Sequence, residues 1–300
     1  MYRRSVKPCD DRERADSRHT GVSVSSSPSA IVALLVPGVV GLVAFRLGSL
    51  SRGGAVAASV IGALALFVSW GWGAYLIAWF ALATAISRWG RTKKSQRTRG
   101  VVAKGDRRDA WQVLANGGVF ALCALLTLVV QRTTDGAGAS LGMLAVAAAG
   151  ALAAAGADTW ATEIGTLVGG APWSLRLRAV VPVGTSGAVT LVGTLAAVAA
   201  GALLAAIAAV AHMYPPMLMG AVALAAFVGA FADSVLGAWW QERRHCPRCH
   251  CDTEQRRHEC GTDTRRTGGV GLLDNDAVNL CCTIVGAIVA LCLSLGGARI

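Results

Sequence analysis

The sequence predicts an all-α, polytopic transmembrane helix bundle of about seven to eight spans rich in Ala and Gly. Of the 300 residues, 54% are hydrophobic and only 15% are charged, whereas a typical soluble domain carries about 25% charged residues. The apolar residues form long blocks, and a helix needs about 20 largely apolar residues to cross a bilayer. The 36 glycines indicate closely packed helices, because small residues let helix backbones approach one another in lipid.

Eight apolar blocks follow one another along the chain. The first begins too late for an ordinary signal peptide, and we expect it to remain as a span. The second and third are short and poorly bounded, so the number of spans between residues 30 and 88 stays open. The blocks are Ile31–Phe45, Ala55–Val68, Ala74–Ile86, Val113–Val130, Leu141–Ala155, Ala188–Ala211, Met217–Phe231 and Ala277–Leu295.

Two polar regions stand outside this pattern. Residues 1–29 are rich in Ser, mixed in charge and without periodicity, which is typical of a disordered tail. The second region, residues 241–273, separates the last two blocks and is rich in Cys and His. We therefore divide the chain into a polar tail at 1–29 and a transmembrane helical domain at 30–300, with a Cys/His loop at 241–273.

The positive charges indicate the orientation. Residues 88–108 hold nine Lys and Arg, residues 243–266 hold seven, and pairs lie at Arg46 and Arg52 and at Arg176 and Arg178. Alternating spans place all four segments on one side, which the positive-inside rule makes the cytoplasm. The same alternation puts the N-terminus, with six basic residues, on the other side, so either an early block is not a full span or the tail is translocated.

The net charge of +11 does not indicate nucleic-acid binding. The basic residues lie in the loops between apolar blocks, where they orient a membrane protein. Aromatic residues are not interleaved with them as in a base-stacking surface. We expect a multi-pass protein of the plasma (inner) membrane with its active face in the cytoplasm.

Carboxylates at the ends of three blocks are the candidate catalytic groups. An ionisable residue in a span is costly and suggests a function. The candidates are Asp158, Glu163, Asp233, Asp274 and Asp276. They share the side of the basic loops in the predicted topology. The structural alternatives are that Asp274 and Asp276 only begin a helix and that Glu163 is an exposed loop residue.

Packed carboxylates repel one another unless some are protonated or a cation lies among them. Oxygen ligands suit Mg²⁺, which also binds substrate phosphates. We expect Asp158, Asp233 and Asp276 to be the Mg²⁺ ligands, and Asn275 and Asn279 to bind the substrate or its phosphate.

Two further segments are candidates for phosphate binding. Gly184, Thr185 and Ser186 precede a span, and a glycine-rich turn before a helix favours an anion, although a capped helix start explains it as well. Arg176 and Arg178 lie just upstream and can hold phosphate oxygens. The second segment contains Arg108, Gln112 and Asn116, which are four residues apart and share one helix face. Interfacial snorkelling of Arg108 and helix–helix hydrogen bonding of Asn116 are the alternatives.

The Cys/His loop resembles a zinc site. Cys246 and Cys249 have C-x₂-C spacing, and His258 and Cys260 follow nine residues later, so together they can supply four tetrahedral ligands. Cys251 or His250 can replace one of them. Free cytosolic thiols are the alternative.

These motifs resemble an integral membrane family of largely uncharacterised proteins that includes the plant phytyl-phosphate kinase. The motifs are Gly156–Gly165, Val181–Thr190, Gly229–Gln241, Leu273–Asn279 and the Cys/His pattern, and the resemblance covers about residues 35–295. It implies transfer of phosphate from a nucleoside triphosphate, CTP or ATP, to an isoprenoid monophosphate. It also implies that the five carboxylates surround metal-bound phosphates.

We therefore expect a membrane-embedded isoprenoid phosphate kinase whose partners are Mg²⁺, a nucleotide and a lipid or isoprenoid phosphate. One alternative is another lipid-phosphate transferase, although the Asp-Gly-x₂-Ala-Arg motif of CDP-alcohol phosphotransferases is absent. Another is an ion-coupled transporter with Asp158 and Asp233 as its relay. The oligomeric state does not follow from the sequence.

Overall fold

The computed structural model describes residues 28–101, 107–133 and 138–297. Within them the chain forms nine α-helices, and a 3₁₀ turn at Pro216–Leu218 precedes the eighth. Their bounds are α1 Ala30–Arg46, α2 Arg52–Val68, α3 Trp70–Arg88, α4 Arg91–Arg97, α5 Ala110–Thr133, α6 Gly138–Val168, α7 Leu191–Val210, α8 Met219–Trp239 and α9 Asn275–Gly297. The predicted all-α class is confirmed. The predicted tail lies outside the described residues, except for its last two.

Six of the described helices are long and apolar enough to cross a membrane, namely α3 and α5 to α9. The apolar helices α1 and α2 have 17 residues each, or about 25 Å at 1.5 Å per residue. They pack antiparallel, because the Ser59 hydroxyl donates to the Pro37 carbonyl while Gly41 approaches Ala55. The eight predicted blocks therefore correspond to six candidate spans and two shorter helices.

Helix α6 is the centre of the bundle. It packs against α3, α5, α7, α8 and α9, and every residue from Ala145 to Ala157 is buried. Ala and Gly make up most of this run because only small residues fit a helix that is covered on all sides. At the crossing with α9, a Cβ on Gly150 would lie 2.6 Å from the Gly286 carbonyl oxygen. The two backbones are therefore in direct contact.

The connections that carry most of the basic residues meet at one end of the bundle, which we call the basic end. Arg88 donates to the Leu47 carbonyl oxygen at 2.8 Å, and Leu50 forms a backbone bridge to Arg108. The basic end therefore contains residues 47–51, 89–101, 107–109, 169–190 and 240–274. At the opposite end, Gly71 at the start of α3 approaches Ala211 just after α7. Helix α1 begins at that opposite end.

Two small antiparallel sheets lie in the loops of the basic end, and the sequence patterns did not predict them. The first has the order β2-β1-β3, from β1 Trp173–Ser174, β2 Ala179–Val180 and β3 Ala188–Val189. The second has the order β5-β4-β6, from β4 Arg243–Cys246, β5 Cys251–Thr253 and β6 Arg265–Gly268. Their strands have only two to four residues, which is too short for a hydrophobic period to be visible.

Candidate functional site

A cavity of about 900 Å³ opens at the basic end. Its walls are the ends of α5 to α9, and its roof consists of residues 94–100 and part of the Cys/His loop. Eleven of the residues predicted for the site line it. They are Arg108, Gln112, Asn116, Asp158, Glu163, Gly184, Thr185, Ser186, Asp233, Asn275 and Asn279. The fold thus brings together residues from five separate segments.

Two carboxylates lie on neighbouring helices in the wall. Asp158 is on α6 and Asp233 is on α8, and both are half-buried. The carboxylates of Asp158 and Glu254 lie close enough to Asp233 for their charges to act on it. Both helices are locally rich in Gly and Ala, and a Cβ on Gly229 would lie 2.6 Å from the Ala154 side chain. This close packing of α6 against α8 is what brings the two acids into one site.

Glu254 is a site residue that sequence reasoning missed. Its carboxylate accepts hydrogen bonds from the Ser186 hydroxyl and, at 2.8 Å, from the Gln241 side chain. Its backbone N–H donates to the Val101 carbonyl oxygen at 2.8 Å. A glutamate in a polar loop carries no sequence signal of its own, because only the folded loop brings it to the cavity that Asp233 also lines.

Lys94 of α4 is a second residue that was missed, since it was counted only as part of a basic loop. It is 7% exposed and forms an ion pair with Glu163 of α6. Its ammonium group also donates to the Ile86 carbonyl at 3.0 Å and to the Ser87 carbonyl at 2.7 Å, at the end of α3. Glu163 is therefore a partnered residue at the end of a long helix, and not an exposed loop residue.

Arg108 precedes α5 and faces the same cavity. It donates to the Ser87 hydroxyl at 3.1 Å and to the Thr84 hydroxyl at 3.4 Å. Burial lowers the pKa of its guanidinium, while the nearby Glu163 carboxylate opposes that shift. Arginine stays protonated in proteins, so Arg108 brings a fixed positive charge to the cavity wall.

Gln112 and Asn116 continue the stripe from Arg108 as predicted, but they make local hydrogen bonds. Gln112 forms a capping box with Asp109, in which each side chain accepts from the other residue's N–H at 2.9 and 3.2 Å. Asn116 donates to the Gln112 carbonyl oxygen at 3.0 Å. Both side chains still line the cavity.

The Gly184–Ser186 turn is not the start of a helix, which corrects one basis of the phosphate prediction. Helix α7 begins only at Leu191, where the Thr190 hydroxyl accepts from the Gly193 N–H at 3.0 Å. The turn instead packs on the end of α8, and a Cβ on Gly187 would lie 2.1 Å from the Ala238 nitrogen. It therefore lines the cavity beside the helix that carries Asp233.

Four predicted site residues lie outside the cavity wall. Asp274 is exposed and caps α9, since it accepts from the Ala277 N–H at 3.1 Å. Asp276 is half-buried in the first turn of α9. Arg176 and Arg178 are exposed in the turn between β1 and β2. Three of the five predicted carboxylates therefore share the cavity, because the first turn of α9 directs Asn275 and Asn279 to it instead.

Two of the carboxylates in the cavity can serve as Mg²⁺ ligands. Within the described residues, the Cys/His group is the cluster in which three or more His, Cys, Asp or Glu side chains can reach one ion. Asp158 and Asp233 can still supply oxygen ligands, because Mg²⁺ is usually bound by one or two carboxylates together with waters and substrate phosphates. Asp276, the third predicted ligand, is not in the cavity wall.

Cys246, Cys249, His258 and Cys260 come together as the sequence predicted. Their ligand atoms all lie within 4.8 Å of one another. Hydrogen bonds from Thr262 and then His258 lower the pKa of the Cys260 thiol to about 5. Neither Cys251 nor His250 belongs to the group.

A family model described as "Integral membrane protein DUF92" matches residues 35–287. The chain belongs to this family. The match begins within α1, spans the next six apolar helices fully and ends within α9, so the membership inferred from the motifs is confirmed. It supports an integral, multi-pass membrane protein.

Two curated members of similar length resemble the chain. Protein PGR of Arabidopsis thaliana is 25% identical over 265 residues, which cover 83% of this chain and 90% of the plant protein. An uncharacterized membrane protein of Methanocaldococcus jannaschii is 25% identical over 265 residues, which cover 86% and 91% of the two chains. No solved structure matches the chain significantly.

Proposed function

We propose that this protein transfers a phosphoryl group from a nucleoside triphosphate, CTP or ATP, to an isoprenoid or similar lipid monophosphate. The observation that carries the proposal is that one cavity at the basic end of an apolar bundle is lined by two acids on neighbouring helices and by two cations, one buried and one half-buried. The acids are Asp158 and Asp233, and the cations are Lys94 and Arg108. Acids for a metal and cations for phosphate oxygens are the recurring parts of phosphoryl-transfer sites.

In the proposed reaction, an oxygen of the lipid monophosphate attacks the γ-phosphorus of the nucleotide. A new phosphorus–oxygen bond forms, the bond from the γ-phosphorus to the β-bridging oxygen breaks, and the nucleoside diphosphate leaves. The second pKa of a phosphate monoester is about 6, so the attacking oxygen carries no proton at neutral pH. The protein then needs to position and neutralise charge, and not to remove a proton.

Asp158 and Asp233 would hold Mg²⁺, which when bound neutralises phosphate oxygens. Arg108 would bind phosphate oxygens through its planar guanidinium. Lys94 forms an ion pair with Glu163 and would add a second positive charge. The Glu163 carboxylate would keep both cations in place.

The hydrocarbon chain of the substrate would leave the cavity between α7 and α8. Ala197 of α7 and Phe227 and Phe231 of α8 line this side. The two rings stack with centroids 6.3 Å apart, and Phe231 is 49% exposed. A lipid tail would follow this apolar wall from the cavity towards the bilayer.

Ion-coupled transport would place the carboxylates near the middle of the bundle with paths to both faces. At 1.5 Å per residue, Asp158 lies about 15 Å from the basic end of α6, a helix of 31 residues that is about 46 Å long, and Asp233 lies about 9 Å from the same end of α8. Both side chains line the cavity that opens at the basic end. This placement supports an enzyme over a transporter. The positive-inside rule supports an active face in the cytoplasm, and the membrane we propose is the plasma (inner) membrane.

The test is turnover by the purified full-length protein in nanodiscs with Mg²⁺, CTP or ATP, and a panel of prenyl monophosphates. We expect a diphosphate product, and a fall of about 100-fold or more in Asp158→Asn and Asp233→Asn, the loss typical of removing one charge-stabilising group. Asp274→Asn is the matched control, because Asp274 lies outside the cavity and Asn caps a helix equally well. No turnover by the wild type, or full turnover by both variants, would contradict the proposal.

A further inference from the structure

We propose that Cys246, Cys249, His258 and Cys260 bind one Zn²⁺, and that this ion fixes the roof of the cavity. The proposal concerns the loop at 241–273 and is independent of the reaction at Asp158 and Asp233. Two separate observations support it, the geometry of the four ligands and the contacts of the loop that they close.

All four ligand atoms lie within 4.8 Å of one another, and two pairs among them have the spacing of a zinc tetrahedron. With zinc–sulfur bonds of about 2.3 Å and zinc–nitrogen bonds of about 2.0 Å, tetrahedral ligands lie about 3.8 Å apart for two sulfurs and about 3.5 Å apart for sulfur and nitrogen. The Cys246 and Cys260 sulfurs are 3.6 Å apart, and His258 Nδ1 is 3.3 Å from the Cys260 sulfur. A disulfide needs about 2.05 Å, and each of these cysteines is free.

The backbone after Cys246 forms a tight turn that brings Cys246 and Cys249 together. The Cys249 N–H donates to the Cys246 sulfur at 3.4 Å, and the His250 N–H donates to the Cys246 carbonyl at 2.9 Å. His250 closes this turn with φ of 51°. The turn connects β4 to β5 and presents two sulfurs on one side, while the second pair comes from the segment between β5 and β6. Four ligands from two segments would close this loop.

Cys251 has a different place in the site. Its sulfur is 3.5 Å from His258 Nε2, which is the nitrogen that does not face Cys260. A histidine that binds metal through one nitrogen usually makes a hydrogen bond through the other, which fixes its ring. We therefore assign Cys251 to orienting His258 and not to the ligand set.

The closed loop supports the roof of the cavity through residues 98–101. The Glu254 N–H and the Thr253 hydroxyl both donate to the Val101 carbonyl, at 2.8 and 3.3 Å. A Cβ on Gly100 would lie 3.3 Å from His258 Nε2. Residues 98–100, Glu254 and Glu259 all line the cavity, so the metal would hold this roof in place from behind.

The first test is the metal content of full-length protein purified in detergent without chelator. We expect one zinc per chain, and an X-ray absorption spectrum with three sulfurs and one nitrogen around it. Cys246→Ser and Cys260→Ser should lose the zinc, whereas Cys292→Ser, in α9 and far from the loop, should keep it. Absence of zinc from the wild type, iron in its place, or zinc retained in Cys246→Ser would overturn the site. Loss of zinc in Cys251→Ser but not in Cys260→Ser would overturn the ligand set.

The second test uses the wild type, so it does not depend on how the variants fold. Hydrogen exchange is compared before and after a chelator removes the metal. We expect at least a tenfold increase in exchange at residues 98–101 and 243–268, with no change in α6. Unchanged exchange at 98–101 after complete zinc removal would overturn the role of the metal in holding the roof. Because neither test measures turnover, failure here would leave the proposed phosphoryl transfer untouched.

Discussion

Lys94 and Glu163 form an ion pair between α4 and α6, although they are 69 positions apart in the chain. The pair joins the short helix that covers the cavity to the long helix that carries Asp158. Lys94 is also bonded to the end of α3, so one buried ammonium group connects three helices.

Replacing Lys94 by Met should destabilise the protein by about 1–3 kcal/mol. The change leaves the Glu163 carboxylate, which is 26% exposed, without its ion-pair partner. An uncompensated charge costs more free energy at a partly buried site than at an exposed one. The measurement is the unfolding midpoint in detergent. Lys93→Met is the control, because Lys93 is exposed on the same helix. Equal effects of the two changes would contradict the structural importance of the pair.

The direct contact of α6 with α9 predicts that Gly150→Ala destabilises the protein by about 1–3 kcal/mol, the usual cost of overpacking. The added methyl group would meet the Gly286 carbonyl oxygen and the Ala290 side chain, each within 2.6 Å. Gly142→Ala, on the same helix, has nothing within 4 Å and should be neutral or slightly stabilising, because Ala favours helix. Thermal unfolding of both variants measures the difference, and a neutral Gly150→Ala would show that the helices are less closely packed.

Arg108→Lys should lower kcat/KM of the proposed reaction by about tenfold, and Arg108→Met by about 100-fold or more. Lys keeps the charge but loses the planar fork that binds two oxygens of a phosphate. Steady-state kinetics with a prenyl monophosphate measures this. Arg107→Lys is the control, because Arg107 is exposed and stacks over Phe45, 5.5 Å from the ring centroid. If Arg108→Lys retains full activity, Arg108 does not bind phosphate as a fork.

The helix order predicts that the C-terminus lies on the side of the membrane opposite the basic end. Helix α9 begins at the basic end and finishes at the other. With the basic end in the cytoplasm, alkaline phosphatase fused after residue 300 should be active in a bacterial host and green fluorescent protein should be dark. The opposite result would reverse the orientation of the whole bundle and move the cavity to the outer face.

The sequence by itself determined the class of the protein and most of its helices. Eight apolar blocks predicted eight apolar helices. This prediction is local, because an apolar segment in lipid must satisfy its backbone hydrogen bonds within itself and therefore forms a helix. It also identified Asp158, Asp233 and the four Cys/His residues, since an acid in an apolar helix and a C-x₂-C pair are unusual enough to be noticed without a structure.

Other parts of the site depended on the tertiary structure. Lys94 and Glu254 resembled ordinary loop residues. Only packing between distant segments showed that Lys94 is buried against Glu163 and that Glu254 lines the cavity, bonded to Ser186. Asn275 and Asn279 of α9 line the cavity, whereas Asp274 does not. The rotation of α9 about its axis decides which of these side chains face the cavity. That rotation depends on contacts with distant helices, so the local sequence does not reveal it.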